Sequence, residues 1–149
     1  MRDDVDIDRL IPQKPPMRIV EGVRAIDDSA IESVATVCDT WPTVQDGRAK
    51  TLMLVELIAQ TAAVLQGWKE RHEKPMGEGG LLVGIHGAKF ASATIPVGTH
   101  LVCAVCISHG VQSYLAFDGE VRDDKGTVWL TGSIQAFRPE PAPQSGETP

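Results

Sequence analysis

The sequence predicts an α+β fold in which one antiparallel sheet curls around one long central helix. Two observations carry this. The stretch "TLMLVELIAQTAAVLQGWKE", Thr51 to Glu70, is apolar almost all the way round, and a helix hydrophobic on all faces has to be buried. Two β-rich runs precede it and four follow, so a single sheet is available to cover it. With 149 residues the chain fits one domain, and 42% hydrophobic residues suffice for a core without staples.

The elements follow in order. Residues 1–8 carry Asp3, Asp4, Asp6 and Asp8 and are expected to fray. "MRIVEGVRAID" (Met17–Asp27) and "AIESVATVC" (Ala30–Cys38) read as strands, joined by the turn-forming pair Asp28-Ser29. "DTWPTVQDGRAK" reads as a loop punctuated by Pro42 and Asp46-Gly47. The helix is expected over Thr51 to His72, closed by Pro75 and the glycines of "EKPMGEGG". Then come "LLVGIHGAKF", "HLVCAVCISHG", "QSYLAFDGEVRD" and "TVWLTGSIQAF", the last two joined by a hairpin turn at Asp123–Gly126. Residues 1–138 form the expected single domain. The Pro-, Ser- and Glu-rich residues 139–149 form an expected disordered tail. A sheet of this kind leaves an edge strand open, and pairing with a second copy would close it, so a homodimer is expected.

The formal net charge of -6 argues against nucleic acid and anionic membrane surfaces as partners. No run is long and apolar enough to span a bilayer, and "MRDDVDIDRL" has neither the basic nor the apolar part of a secretory signal. Cys38, Cys103 and Cys106 are an odd set, too few for a disulfide framework. The expectation is a soluble cytoplasmic protein with reduced thiols. No glycine motif of a nucleotide-binding site occurs, consistent with chemistry that needs no cofactor.

Glu56 is the residue that does not fit its surroundings. It sits near the helix start among leucine, isoleucine and valine. Burying an ionised carboxylate is costly unless it is paired or hydrogen-bonded, and the helix N-terminus offsets only about 0.3–1 kcal/mol. Gln60 lies four residues on, and Ala63 and Gly67 continue the same face with small side chains. A polar pair with room beside it suggests a ligand tunnel, where a carboxylate could do acid–base chemistry. Alternatively, Glu56 reaches the surface or pairs with Arg48, and Gln60 satisfies a nearby backbone group.

"HLVCAVCISH" spaces His100, Cys103, Cys106 and His109 three apart, all zinc-ligand types. Strand alternation would send His100 and Cys106 to one face and Cys103 and His109 to the other. Four ligands on two faces cannot close one tetrahedron, so no metal is expected and the cysteines read as core residues.

Three motifs then carry a resemblance. "IPQKPPMRIVEGV" resembles the Leu-Pro-His-Arg-x-Pro-Met/Phe-Leu-x-Val-Asp-x-Val opening of the 3-hydroxyacyl-acyl carrier protein dehydratases. "VELIAQTAAVLQG" resembles their Ile-Glu-x-Met-Ala-Gln-x-Ala helix, and "GLLVGIHGAKFASATIPVG" their Gly-Ile-x-x-x-x-Phe followed by Pro-x-Gly. They occur in the family's order between Leu10 and Phe137, and the short branch associated with aryl polyene clusters is the more similar. The resemblance implies a hotdog fold, dimers with active sites at the subunit interface, and a hydro-lyase acting on 3-hydroxyacyl thioesters of acyl carrier protein or coenzyme A.

Glu56 then occupies the position of the catalytic carboxylate. The family's catalytic histidine has no counterpart in "CDTWPTVQDGRAK". Lys50-Thr51 stands where Pro-Gly leads into the helix and helps polarise the thioester carbonyl. Gln13 replaces the opening histidine. On this reading Gln60, Gln13, Thr51, His86 and Phe90 bind substrate, with His86 also open to a plain edge-strand role. Arg48, Lys50 and Lys89 meet the acidic carrier protein, with Lys14 and Arg18 near by. Two rivals remain. One is a hotdog thioesterase using Glu56; the other is a non-catalytic subunit that binds acyl chains or pairs with an active homologue as a heterodimer.

Overall fold

The computed structural model describes residues 1–71, 82–111 and 114–137. The elements are α1 (Ile7–Leu10), β1 (Gly22–Ile26), β2 (Ala30–Thr36), β3 (Arg48–Lys50), α2 (Met53–Arg71), β4 (Leu82–Phe90), β5 (Thr94–Pro96), β6 (His100–Val111), β7 (Tyr114–Asp123) and β8 (Val128–Phe137). Six strands form an antiparallel sheet in the order β1-β2-β6-β7-β8-β4, and β3 pairs with β5 alone. α2 lies across the inner face, as its all-round apolarity requires. The expected tail, His72 and "EKPMGEGG" lie outside the described residues.

Alternation along the strands sets the two faces. Ile31, Leu101, Val105, Phe117, Val121, Leu130 and Ile134 point inward and are buried with Leu54, Leu57, Ile58 and Leu65 of α2. Gly119 gives the helix room to come close, because a Cβ there would sit 2.6 Å from Ile58 Cγ2. Ser33, Thr61 and Cys103 are buried between sheet and helix, with the Ser33 and Thr61 hydroxyls 2.7 Å apart. Thr61 Oγ1 donates to the Leu57 carbonyl at 2.7 Å. Burial pushes the Cys103 thiol up to about 12, against the opposing hydrogen bonds of Thr61 and Ser33. Trp41 packs in the core.

Turn chemistry accounts for the hairpins. The Asp27 carboxylate accepts from the Ser29 and Ala30 amides at 2.8 and 2.9 Å, which hold it below the usual carboxylate range. Asp46 and Gly47 both have positive φ, 54° and 74°, a two-residue turn that pairs Gln45 with Arg48. At Asp123–Gly126, Gly126 has φ 88° and the Asp123 carboxylate accepts from Lys125, Thr127 and the Trp129 indole.

Four expectations change. The first run becomes a strand only from Gly22, because Met17–Val20 is drawn over α2 instead, its backbone bonded to Gln60. The strand β3 lies inside the expected loop and β5 follows β4; each is only three residues long and too short to announce itself by alternation. Residues 1–8 lie against the fold: Ile7 is buried, the Arg2 amide donates to the Val23 carbonyl at 2.8 Å on the free edge of β1, and the Met1 side chain covers Gly22. The core reading of the cysteines holds for Cys103, whereas Cys38 is half-buried and Cys106 is exposed; all three are free thiols.

The opposite edge, β4, is open along its length in the single chain, with Ile85 38% and Phe90 39% exposed. Among the described residues no helix is long and apolar enough to cross a membrane.

Candidate active site

Glu56 lies in the first turn of α2 and is half-buried. Its Oε1 accepts a hydrogen bond from Gln60 Nε2 at 2.9 Å. The i,i+4 spacing puts the two side chains on one stripe of the helix. Gln60 is 1% exposed and its amide is fully used. Its Oε1 accepts from the Ile19 amide at 2.9 Å and the Val20 amide at 3.3 Å. Its Nε2 donates to the Met17 carbonyl at 2.8 Å as well as to Glu56. Two acceptor and two donor positions are all that a glutamine offers, so Gln60 has none left for a substrate. It holds Glu56 and ties the Met17–Val20 backbone to the helix.

The small residues of the stripe serve the same end. A Cβ on Gly67 would lie 3.0 Å from the Leu10 carbonyl oxygen. The chain from Leu10 to Val20 therefore runs back along α2 from Gly67 to Gln60. The room expected to form a tunnel beside Ala63 and Gly67 is covered at both ends by the chain's own opening segment. This role of the opening backbone was not legible in the spacing; its motif marked the segment without showing what it touches. Gln13 lies within it, with its Oε1 buried and without a hydrogen-bond partner among the described residues.

A second group of the expected residues gathers elsewhere. Lys50, Thr51 and Phe90 line an open, mainly apolar groove of about 400 Å³ with Leu52, Ser92 and Ala93. Thr51 is buried; its hydroxyl donates to the Ser92 carbonyl at 2.6 Å and its amide to the Ala93 carbonyl at 3.0 Å. Both Thr51 donors are thus spent on fixing the groove wall, which leaves none for a thioester carbonyl.

The remaining candidates do not converge. Arg48 bonds Thr94 through Nε at 2.7 Å, across the β3–β5 pair, and does not pair with Glu56. Lys14 and Arg18 turn to Asp8. Lys89 is opposite Thr131 and His86 opposite Ser133, whose hydroxyl donates to Asp118. Both Thr131 and Ser133 alternate with the buried Leu130 and Ile134, so His86 and Lys89 share the outer face, away from α2.

The other described histidines lie on that face too. His100 bonds Thr36 through Nδ1 at 3.0 Å. A β-bulge between Ile107 and His109 moves His109 opposite Ala116, which corrects the simple alternation: His100, Cys106 and His109 share the outer face and Cys103 alone points inward. His100 and Cys106, six residues apart on one strand, are separated by roughly 20 Å. Among the described residues no three His, Cys, Asp or Glu gather as metal ligands.

Comparison with known proteins adds to this geometry. The model of the ApeP-like family, described as ApeP dehydratase, matches residues 5–146. No curated protein sequence matches the chain. Among solved structures, the dehydratase heterocomplex ApeI:P from Xenorhabdus doucetiae is 24% identical with a TM-score of 0.80, over 90% of this chain and 91% of that one. A hypothetical thioesterase with coenzyme A from Streptococcus pneumoniae TIGR4 is 13% identical with a TM-score of 0.59, over 78% and 84%. The PaaI protein of E. coli is 11% identical with a TM-score of 0.62, over 78% and 82%. At these identities the likeness is one of fold.

Proposed function

The chain belongs to the ApeP-like dehydratase family and has the hotdog fold, and from that premise we propose that it eliminates water from 3-hydroxyacyl thioesters with Glu56 as the acid–base group. The observation that supports this is the hydrogen bond that holds Glu56 through Gln60 to the opening segment. A carboxylate placed this way removes the C2 proton of the substrate and returns it to the leaving C3 hydroxyl. The thioester's carrier is acyl carrier protein or coenzyme A. The groove at Leu52 and Phe90 offers an apolar wall, and Lys50, which lines it, offers positive charge to an acidic carrier.

The test is intact-mass analysis of a 3-hydroxyacyl-acyl carrier protein incubated with wild type and with Glu56→Gln. Loss of 18 Da with wild type alone is the expected result (the mass of one water). Release of the acyl chain would instead make the protein a thioesterase, and an unchanged substrate across several carriers and chain lengths would refute turnover by this chain alone.

One observation favours a second reading. His86, His100 and His109 all lie on the outer face, so none of the described histidines stands beside Glu56. In that reading the chain pairs, through the open β4 edge, with a homologue that supplies the missing histidine. Turnover that appears only on mixing with such a homologue, with a 1:1 complex by native mass spectrometry, is its signature. A self-sufficient homodimer supports the first reading.

A further inference from the structure

We propose that residues 1–8 are an edge guard, which closes β1 to strand addition by a second copy of this chain. The inference stands apart from the reading of Glu56. The sheet has two edge strands, β1 and β4. An edge strand presents unpaired amides and carbonyls on which another chain can add. β4 runs for nine residues, and positions 84–90 are all exposed. β1 has five residues, with Arg24 exposed on it. Both strands carry a bulge, between Val23 and Ala25 in β1 and between His86 and Lys89 in β4, so the bulge does not set the edges apart. The cover does. The Arg2 amide donates to the Val23 carbonyl at 2.8 Å, and Met1 fills the space that a side chain at Gly22 would need.

The cover does not become an edge in its turn. A full strand laid along β1 would only move the free edge outward by about 4.8 Å. Here the chain bonds Val23 through Arg2 and then turns away at Asp3-Asp4. The Arg2 guanidinium holds that turn by bonding both Asp4 oxygens, at 2.7 and 2.6 Å. Val5 then packs against the core, Ile7 is buried, and Asp8 pairs with Arg18 and Lys14, which fastens α1 to the opening segment. A cleft of about 300 Å³ is lined by Arg2, Asp6 and Ile7 from the cover and by Gly22 and Val23 from β1. The cover is thus held at its ends rather than packed along its length, and losing residues 1–4 would bare Val23 while Val5 and Ile7 stay in place. The guard decides how copies meet. With both edges open, β1 of one copy could pair with β4 of the next, a head-to-tail contact that repeats without closing. With β1 closed, a β4 edge can pair only with another β4, and the assembly stops at two.

The first measurement uses the full chain. Hydrogen exchange by NMR should show the Arg2 backbone amide exchanging at least about tenfold more slowly than in an unfolded peptide of the same residues. Exchange at the peptide's rate would mean that β1 is not covered in solution and would overturn the proposal.

The second measurement is sedimentation velocity over a concentration series, on wild type and on a chain lacking residues 1–4. Wild type should keep one discrete state. The shortened chain should form a series of larger species whose average mass keeps rising with concentration. Ala25→Lys in the shortened chain, a charge placed on the bared edge at an exposed position, should return it to the wild-type state, because charged side chains block edge pairing. A shortened chain that stays in the wild-type state at every concentration would refute the guard. Larger species that Ala25→Lys does not reverse would refute it too, since they would not form through β1.

Discussion

Gln60 and Thr61 are consecutive in α2, about 100° apart around its axis, and the two polar clusters they anchor make opposite use of burial. On the Thr61 side, Ser33, Thr61 and the Leu57 carbonyl satisfy one another beside the Cys103 thiol, and nothing is left over. On the Gln60 side the glutamine is equally saturated, but the group it holds is not: only one oxygen of Glu56 is hydrogen-bonded among the described residues. A closed polar cluster specifies how helix and sheet meet. A cluster that ends on an uncommitted carboxylate oxygen can do chemistry. Burial alone does not separate the two; counting donors and acceptors does.

The largest expected effect breaks this contrast most directly. Glu56→Gln should lower turnover at least about 10²-fold, the lower end of what a general acid–base group contributes, with Tm nearly unchanged. Thr61→Val should do the reverse. It leaves the buried Ser33 hydroxyl without its partner, at a cost of about 1–3 kcal/mol, and the surviving folded protein should keep its kcat. Chemical denaturation with a parallel mass assay measures both, and a Thr61→Val protein that is fully stable but inactive would erase the distinction drawn here. Gly119→Ala sharpens it from the sheet side. The new methyl would press on Ile58, which is fully buried and cannot swing away, so overpacking of about 1–3 kcal/mol is expected.

Smaller effects concern the thiols. Cys103 is buried with its thiol raised to about 12 by loss of solvent, whereas Cys106 is exposed. A thiol reagent at pH 8 should label Cys106 quickly and Cys103 only when the chain unfolds. The raised thiol also fixes the sign of an alkaline effect. Its contribution to stability is complete below about 9, the unfolded value, and is lost as pH rises toward 12. Labelling of Cys103 at the rate of Cys106 would mean that helix and sheet part far more easily than this core implies.

Why was one of these clusters visible in the sequence and the other not? Glu56 stood out because a carboxylate in an apolar helix violates the pattern around it, and Gln60 followed by i,i+4 spacing. The helix, the four-strand run after it and the Asp123–Gly126 turn announced themselves through periodicity and turn chemistry. The Ser33–Thr61–Cys103 cluster breaks no pattern, since small hydroxyl and thiol side chains pass unnoticed in strands and helices, and only the cross-chain register brings them together. The path of Leu10–Val20 along α2 was hidden for a related reason. Its bonds to Gln60 run through backbone amides and carbonyls, which carry no sequence signal. Thr51 and His86 were named by position in a motif, and neither position says where a donor or a ring points. The phase change that sends His109 outward comes from a bulge that strand alternation cannot foresee.

Asp123 gives the smallest and most local test, at the β7–β8 turn, two residues along β7 from the position that pairs with Cys103. Burial alone would raise its carboxyl. The Trp129 indole N–H and the Thr127 and Lys125 amides outweigh that and hold it below the ordinary carboxylate range. A depressed folded value means the contribution is present above about 3.9, the unfolded value, and is lost as acid protonates the folded carboxyl. Asp123→Asn keeps a carbonyl oxygen for one set of donors but removes the charge. Its Tm should therefore fall below wild type at pH 7, and the gap should close as the pH drops below about 4, because wild type then loses the same interaction. The Asp123 carboxylate is held by Lys125, Thr127 and Trp129 of its own hairpin, and among the described residues it shares no hydrogen bond with Glu56, so turnover at pH 7 and moderate temperature should not follow that gap. A gap that stays constant with pH would show that the asparagine acts through altered packing under Trp129 rather than through the charge. A parallel loss of kcat would tie the hairpin to the helix in a way that the separate hydrogen-bond networks of the two regions do not suggest.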